Sequence, residues 1–105
     1  MSAVPMGSVD IHANESGVRA ELTADTIAAL EQALHYVFSR DQVVLLRLIK
    51  DGTTQVVSTV VSPSTPLKSG YRQDTLEPGQ VQKQAHAMMQ SLKDSSELNI
   101  GIPSE

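Results

Sequence analysis

Apolar and polar residues alternate where Val9, Ile11 and Ala13 are separated by Asp10 and His12. They alternate again where Val18, Ala20 and Leu22 are separated by Arg19 and Glu21. A period of two marks a half-buried strand. Between the runs, Asn14-Glu15-Ser16-Gly17 is rich in turn-forming residues. A four-residue loop pairs Ala13 with Val18, Ile11 with Ala20 and Val9 with Leu22, which places every apolar residue on one face. In this register Asp10 stands opposite Glu21, and two facing carboxylates repel each other.

The period then changes. Ile27, Leu30, Leu34, Val37 and Phe38 recur at helical spacing over 23–39. Thr23 is placed to cap this helix, and Asp25 lies in the first turn, where a negative charge favours the helix dipole. Glu31, Gln32 and His35 fall on the opposite side, with Arg40-Asp41 closing the helix.

The stretch 42–61, QVVLLRLIKDGTTQVVSTVV, holds two β-rich runs around Asp51-Gly52. Asp-Gly supplies the positive φ values of a type I′ turn, so residues 43–50 are expected to pair with 53–61. That register sets Lys50 against Thr53, Leu48 against Gln55, Leu46 against Val57 and Val44 against Thr59. One face carries Val44, Leu46, Leu48, Val57 and Val61; the other carries Val43, Leu45, Ile49, Val56 and Val60. Both are apolar, so both are expected to be covered, by the helices or by a second subunit.

Residues 62–79 are rich in Pro, Ser, Thr and Gly and read as one long irregular loop, a feature that is usually functional or mobile. A second helix starts near Pro78, suited to a first turn, with Val81, Ala85, Met88 and Leu92 as its apolar stripe and Met89 at the edge. Leu98, Ile100 and Ile102 alternate before Pro103 and suit a short strand at a sheet edge. The order predicts one α+β domain over 1–105. Two hairpins form a small antiparallel sheet packed with two helices, as ββαββα with a short C-terminal strand.

Composition narrows the function classes. The formal charge is −4, and the Lys and Arg residues are scattered, which disfavours direct nucleic-acid binding. Aromatics are 3% of the chain, too few for base stacking and few enough to require an aliphatic core. There is no cysteine, so disulfides and thiolate chemistry are excluded. No run is long enough to span a membrane and no basic leader opens the chain, so a cytoplasmic protein is expected.

The histidines His12, His35 and His86 show no metal-ligating or zinc-protease spacing, and no serine sits in a nucleophile elbow. Asp10, His12, Arg19 and Glu21 share the outer face of the first hairpin. A metal there would need three or four convergent ligands, so a solvated face with Arg19 diagonal to the carboxylates is the expectation. Lys68, Ser69, Gly70, Tyr71 and Arg72 lie together in the long loop without a phosphate-binding glycine pattern. Tyr71 and Arg72 read as interface anchors.

Asp10, Glu15, Glu21, Asp25 and Glu31 form an acid-rich block relieved only by Arg19. An acidic surface steers a basic partner. The function expected is a small acidic protein-binding module, an inhibitor or adaptor acting by surface contact on a basic, nucleic-acid-handling protein. Its candidate contacts are Asp10, Glu21, Asp25, Glu31, Tyr71 and Arg72; no cofactor and no metal are expected. A self-assembling structural subunit, in the first instance a homodimer, is the alternative. An enzyme using His12 or His35 with a carboxylate ranks last.

Overall fold

In the computed structural model, which describes residues 6–13, 16–50, 52 and 54–102, the chain runs β1 (Met6–Ala13), β2 (Ser16–Thr23), α1 (Ala24–Phe38), β3 (Val44–Lys50), β4 (Val56–Val61), β5 (Leu67–Gly70), α2 (Pro78–Ser95) and β6 (Glu97–Ile102). A 3-10 turn, Gln73–Thr75, precedes α2. The class is α+β, in the expected order. The strands form two three-stranded sheets, however: β2-β1-β5, here sheet A, and β4-β3-β6, sheet B.

The first hairpin is displaced from the expected register by two residues. Ile11 pairs with Val18, Val9 with Ala20 and Gly7 with Leu22. A two-residue shift preserves the faces, so Val9, Ile11, Ala20 and Leu22 are all buried as expected. The charges change partners, and the opposition of Asp10 and Glu21 is corrected. Asp10 pairs with Arg19, at 3.7 Å between Oδ1 and Nε, and Glu21 pairs with Ser8. On the other side of β1, Asp10 is in register with Lys68 of β5. The carboxylate therefore sits between two cations, an arrangement that cross-strand attraction favours over two facing acids. Asp10→Lys would line up three cations and relieve nothing. The turn at Asn14–Glu15 lies outside the described residues, as do residues 1–5, Pro103 and the His12 side chain.

The central hairpin is displaced the other way. Val44 pairs with Val61, Leu46 with Thr59 and Leu48 with Val57, and the Lys50 N–H donates to the Gln55 carbonyl at 3.2 Å. The reason is in the core: this register puts Val61, instead of Thr59, opposite the fully buried Val44, and Val61 is itself fully buried. Gly52 has φ 78°, the left-handed region that the turn needs. Lys50 is bonded to Gln55 instead of the expected Thr53, so the two-residue type I′ turn expected at Asp51–Gly52 gives way to a longer connection; the conformations of Asp51 and Thr53 lie outside the described residues.

The stretch expected to be irregular contains β5. It adds to the open side of β1, with Leu67 opposite Ile11 and Ser69 opposite Val9. Pro63 and Pro66 stay in the preceding turn, where the Thr65 N–H reaches the Ser62 carbonyl at 3.0 Å. Pairing to a ready edge outweighs the weak local preference of Leu67-Lys68-Ser69-Gly70. The final strand forms as expected, but parallel to β3, with Leu98 beside Leu46 and Ile100 beside Leu48.

Thr23 caps α1, accepting the Thr26 N–H at 3.3 Å. The chain leaves α1 through Asp41 at φ 55°, and the Gln42 N–H returns to the Val37 carbonyl at 3.1 Å, closing the last turn. Ile27, Leu30, Ala33, Leu34 and Val37 bury themselves against both sheets. Ala28 and Ala29 meet Val81 and Ala85 of α2, small side chains that let the two helices approach closely. The Thr26 hydroxyl donates to Gln84 Oε1 at 2.8 Å across that contact. No helix among the described residues is long and apolar enough to cross a membrane.

Among the described residues, only the inner face of sheet B is covered. On its outer face Val43 is 49% exposed, Ile49 37%, Val56 48% and Val60 56%. Arg47 and Glu97 make a bidentate pair there, at 2.9 and 3.3 Å.

Helix α2 ends at Ser96, which holds φ 57° without being glycine. That conformation costs an L side chain energy which glycine avoids, offset in part by glycine's freer unfolded chain. Ser96→Gly is expected to raise unfolding stability by about 0.5–1 kcal/mol in urea titration. An unchanged or lower midpoint would mean that Ser96 is unstrained.

Candidate functional site

The inner face of sheet A is only partly roofed by α1. Beside the helix lies a cleft of about 810 Å³. Val9 and Ile11 of β1 and Leu46 of β3 contribute to its floor, Leu30, Leu34 and Phe38 of α1 to one wall, and Leu67, Tyr71, Leu76 and Val81 to the other. That size and apolar character are typical of ligand and peptide clefts. It lies between α1 on one side and β5 and the segment leading into α2 on the other.

Polar groups gather at the rim. Glu31, Gln32 and His35, one exposed side of α1, border the cleft on the helix side, and Ser69 and Tyr71 border it on the other. The Ser69 hydroxyl donates to Glu31 Oε2 at 3.1 Å. Tyr71 is also directed to Glu31: hydrogen bonding of the phenol to that carboxylate, then burial, then the negative charge itself hold the Tyr71 pKa above its ordinary value of 10.0. Glu31 thus engages residues about forty positions away along the chain. An ionised carboxylate has about four acceptor sites, so Glu31, with Ser69 donating to it, still has capacity for a cation from outside.

The effect on Tyr71 can be measured directly. In a Tyr36→Phe protein Tyr71 is the remaining tyrosine, and its ultraviolet titration midpoint is expected above 10.0, falling toward that value on adding Glu31→Gln. Because the folded value is raised, the stabilisation from this contact is complete below the unfolded pKa and is lost as pH rises through the folded one. A midpoint indifferent to Glu31→Gln would remove the pairing.

The six expected contact residues do not form one surface. Glu31 and Tyr71 meet at the cleft. Asp10 and Glu21 lie on the far, outer face of sheet A. Asp25 accepts the Glu77 N–H at 3.0 Å, so it pins the segment that leads from Tyr71 into α2. Arg72 is exposed and bridges to Asp74 at 2.9 Å, two residues along. Ser69, Leu67 and Leu76 were not among the expected residues. Leu67 and Ser69 do show the alternation of a strand with a common face, though over too few residues to stand out. Among the described residues no group of three potential ligands suited to a metal ion occurs.

Compared with protein-family models, curated protein sequences and solved structures, the chain matches none.

Proposed function

We propose that this protein is a small acidic binding module, an inhibitor or adaptor acting in the cytoplasm, whose cleft receives an apolar segment carrying a cationic group from a basic partner protein. The observation that carries the reading is the junction of a mainly apolar cleft with the Glu31–Ser69–Tyr71 cluster at its mouth. Apolar walls supply affinity without choosing an orientation. A fixed carboxylate at one end supplies the choice, since it favours a Lys or Arg side chain over an acidic one. The net charge of −4 adds long-range attraction for a basic surface.

The test is recovery of a stoichiometric partner from the native host by wild type, Glu31→Lys and Glu21→Lys proteins. Glu21 is exposed on the other side of the molecule, so its reversal controls for net charge. Retention by wild type and Glu21→Lys with loss by Glu31→Lys supports the cleft. Loss with Glu21→Lys alone moves the interface to the outer face of sheet A, and recovery by none of the three overturns the module reading. Association of the recovered pair should slow as salt rises. A second reading, a self-assembling subunit, is favoured by the uncovered valines of sheet B.

A further inference from the structure

Strand β4 is an edge strand, bonded to β3 on one side only among the described residues. Its sequence, VVSTVV, holds no charge and no proline. These are the usual devices that keep an exposed edge from pairing, and this one lacks both. Val56, Val57 and Ser58 are exposed, and Val60 is the most exposed of the large apolar side chains among the described residues. We infer that β4 pairs with β4 of a second copy, antiparallel about a two-fold axis through Ser58, joining two sheets B into one six-stranded sheet. This deepens the self-assembling reading and is independent of the cleft.

The register follows from the hydrogen-bond pattern. The Lys50 N–H bonds the Gln55 carbonyl, so Lys50–Gln55 is a hydrogen-bonded pair. Bonded and non-bonded pairs alternate in an antiparallel ladder. Val57 and Thr59 therefore spend their backbone groups on β3, and Val56, Ser58 and Val60 aim theirs out of the sheet. A two-fold axis perpendicular to the sheet pairs residues of the same parity, because paired side chains share a face. Centring on Ser58 matches all three outward residues at once: Val56 with Val60 of the second copy, Ser58 with its own counterpart, and Val60 with Val56.

The side chains agree with this register. The strand reads nearly the same in both directions, so the pairing sets valine against valine twice on the outer face. A second copy is thus the occupant that the edge itself specifies: the pairing requires no sequence but its own. The nearest charges on that face, Arg47 and Glu97, already neutralise each other at 2.9 Å, so two copies bring no unpaired like charge to the axis. Joining edges covers less than the ~800 Å² per partner of a standard interface, so the dimer is reversible and dissociates on dilution.

Sedimentation velocity over a wide concentration range is the first measurement. A monomer–dimer equilibrium is expected, weakened about tenfold or more by Val60→Lys, which puts a charge into the pair. Ser58→Pro is the second variant. Its lost N–H is one that β3 does not use, so the hairpin survives while the intermolecular ladder is cut. The chain has no cysteine, so Ser58→Cys supplies one thiol per copy. Its Cα atoms, about 5.5 Å apart across the axis, fall within disulfide range. Val56→Cys is the control, since its counterparts lie four residues, roughly 13 Å, apart along the strands. Oxidation should link Ser58→Cys copies quickly, Val56→Cys copies slowly, and a mixture of Val56→Cys with Val60→Cys quickly. A monomer at every concentration, a dimer indifferent to both Val60→Lys and Ser58→Pro, or linking of Val56→Cys as fast as Ser58→Cys would each overturn the inference.

Discussion

Leu46→Ala should remove about 2–5 kcal/mol of unfolding stability, a large part of the total for a domain of this size. Leu46 is 1% exposed in the middle of β3, the central strand of sheet B. It is flanked by Thr59 of β4 and Leu98 of β6. Truncation to alanine removes three carbons, worth roughly 2–2.5 kcal/mol of transfer free energy. The remainder depends on how far the neighbours collapse. Strands on both sides hold the backbone, so collapse must come from Leu34 and Leu30 above, and these also border the cleft. Val57→Ala is the comparison. Val57 lies on the same face but is 38% exposed at the end of an edge strand, so its loss should cost under about 1 kcal/mol. Urea midpoints with an unchanged slope measure both. In hydrogen exchange, the amides of β3 should be the slowest and those of 62–66 among the fast. Equal costs for the two substitutions would mean that the core is not centred on β3.

The pattern of hydrophobic positions disclosed the first helix to within a residue at each end and the start and apolar stripe of the second, because a stripe repeated over four turns tolerates no other period. It also disclosed which side chains of β1 and β2 face inward and which side chains of β3 and β4 share a face, but not that one of those two apolar faces, with Val43, Ile49, Val56 and Val60, is left exposed. It did not disclose their pairing. A period of two is unchanged by a shift of two, so the alternation in β1 and β2 is equally satisfied with Ile11 opposite Ala20 or Val18. The observed registers agree with features that a strand pattern does not carry, namely Asp10 beside Arg19 and Val61 instead of Thr59 opposite Val44. Strand β5 was hidden because four residues between prolines and glycines carry little preference, and their pairing comes from the edge that β1 offers. Division into two sheets follows from β5 and β6 taking different partners, which is a tertiary choice. At the candidate site, Glu31 and Tyr71 were each legible, one as a helix acid and one as an aromatic in a loop. Their meeting was not, since nothing local relates residue 31 to residue 71.

Gly7→Ala should destabilise the protein by about 1–3 kcal/mol or more, despite adding only one methyl group. A Cβ at position 7 would collide with the Gly70 carbonyl oxygen and lie 2.7 Å from Ile27 Cδ1 and 2.9 Å from Tyr71 Cβ. The Ile27 methyl could rotate, but Ile27 is fully buried and has little space to enter. The Gly70 oxygen belongs to the backbone and cannot rotate away, so the end of β5 would have to move off β1. Tyr71 follows Gly70 directly, so the same movement would carry its hydroxyl from Glu31 and open the mouth of the cleft. Two readouts are therefore expected to change together: the urea midpoint falls, and the Tyr71 titration midpoint, measured with Tyr36→Phe as background, falls toward 10.0. Gly101→Ala supplies the control. It also lies in a strand, but an added Cβ there meets nothing within 4 Å, so the substitution should be neutral or stabilise by up to about 1 kcal/mol through the unfolded chain. If Gly7→Ala behaves like Gly101→Ala, β1 and β5 are not in the close contact that brings Ser69 and Tyr71 to Glu31. A loss of stability with the Tyr71 midpoint unmoved would confine the strain to Ile27 and separate the packing under α1 from the geometry of the cleft.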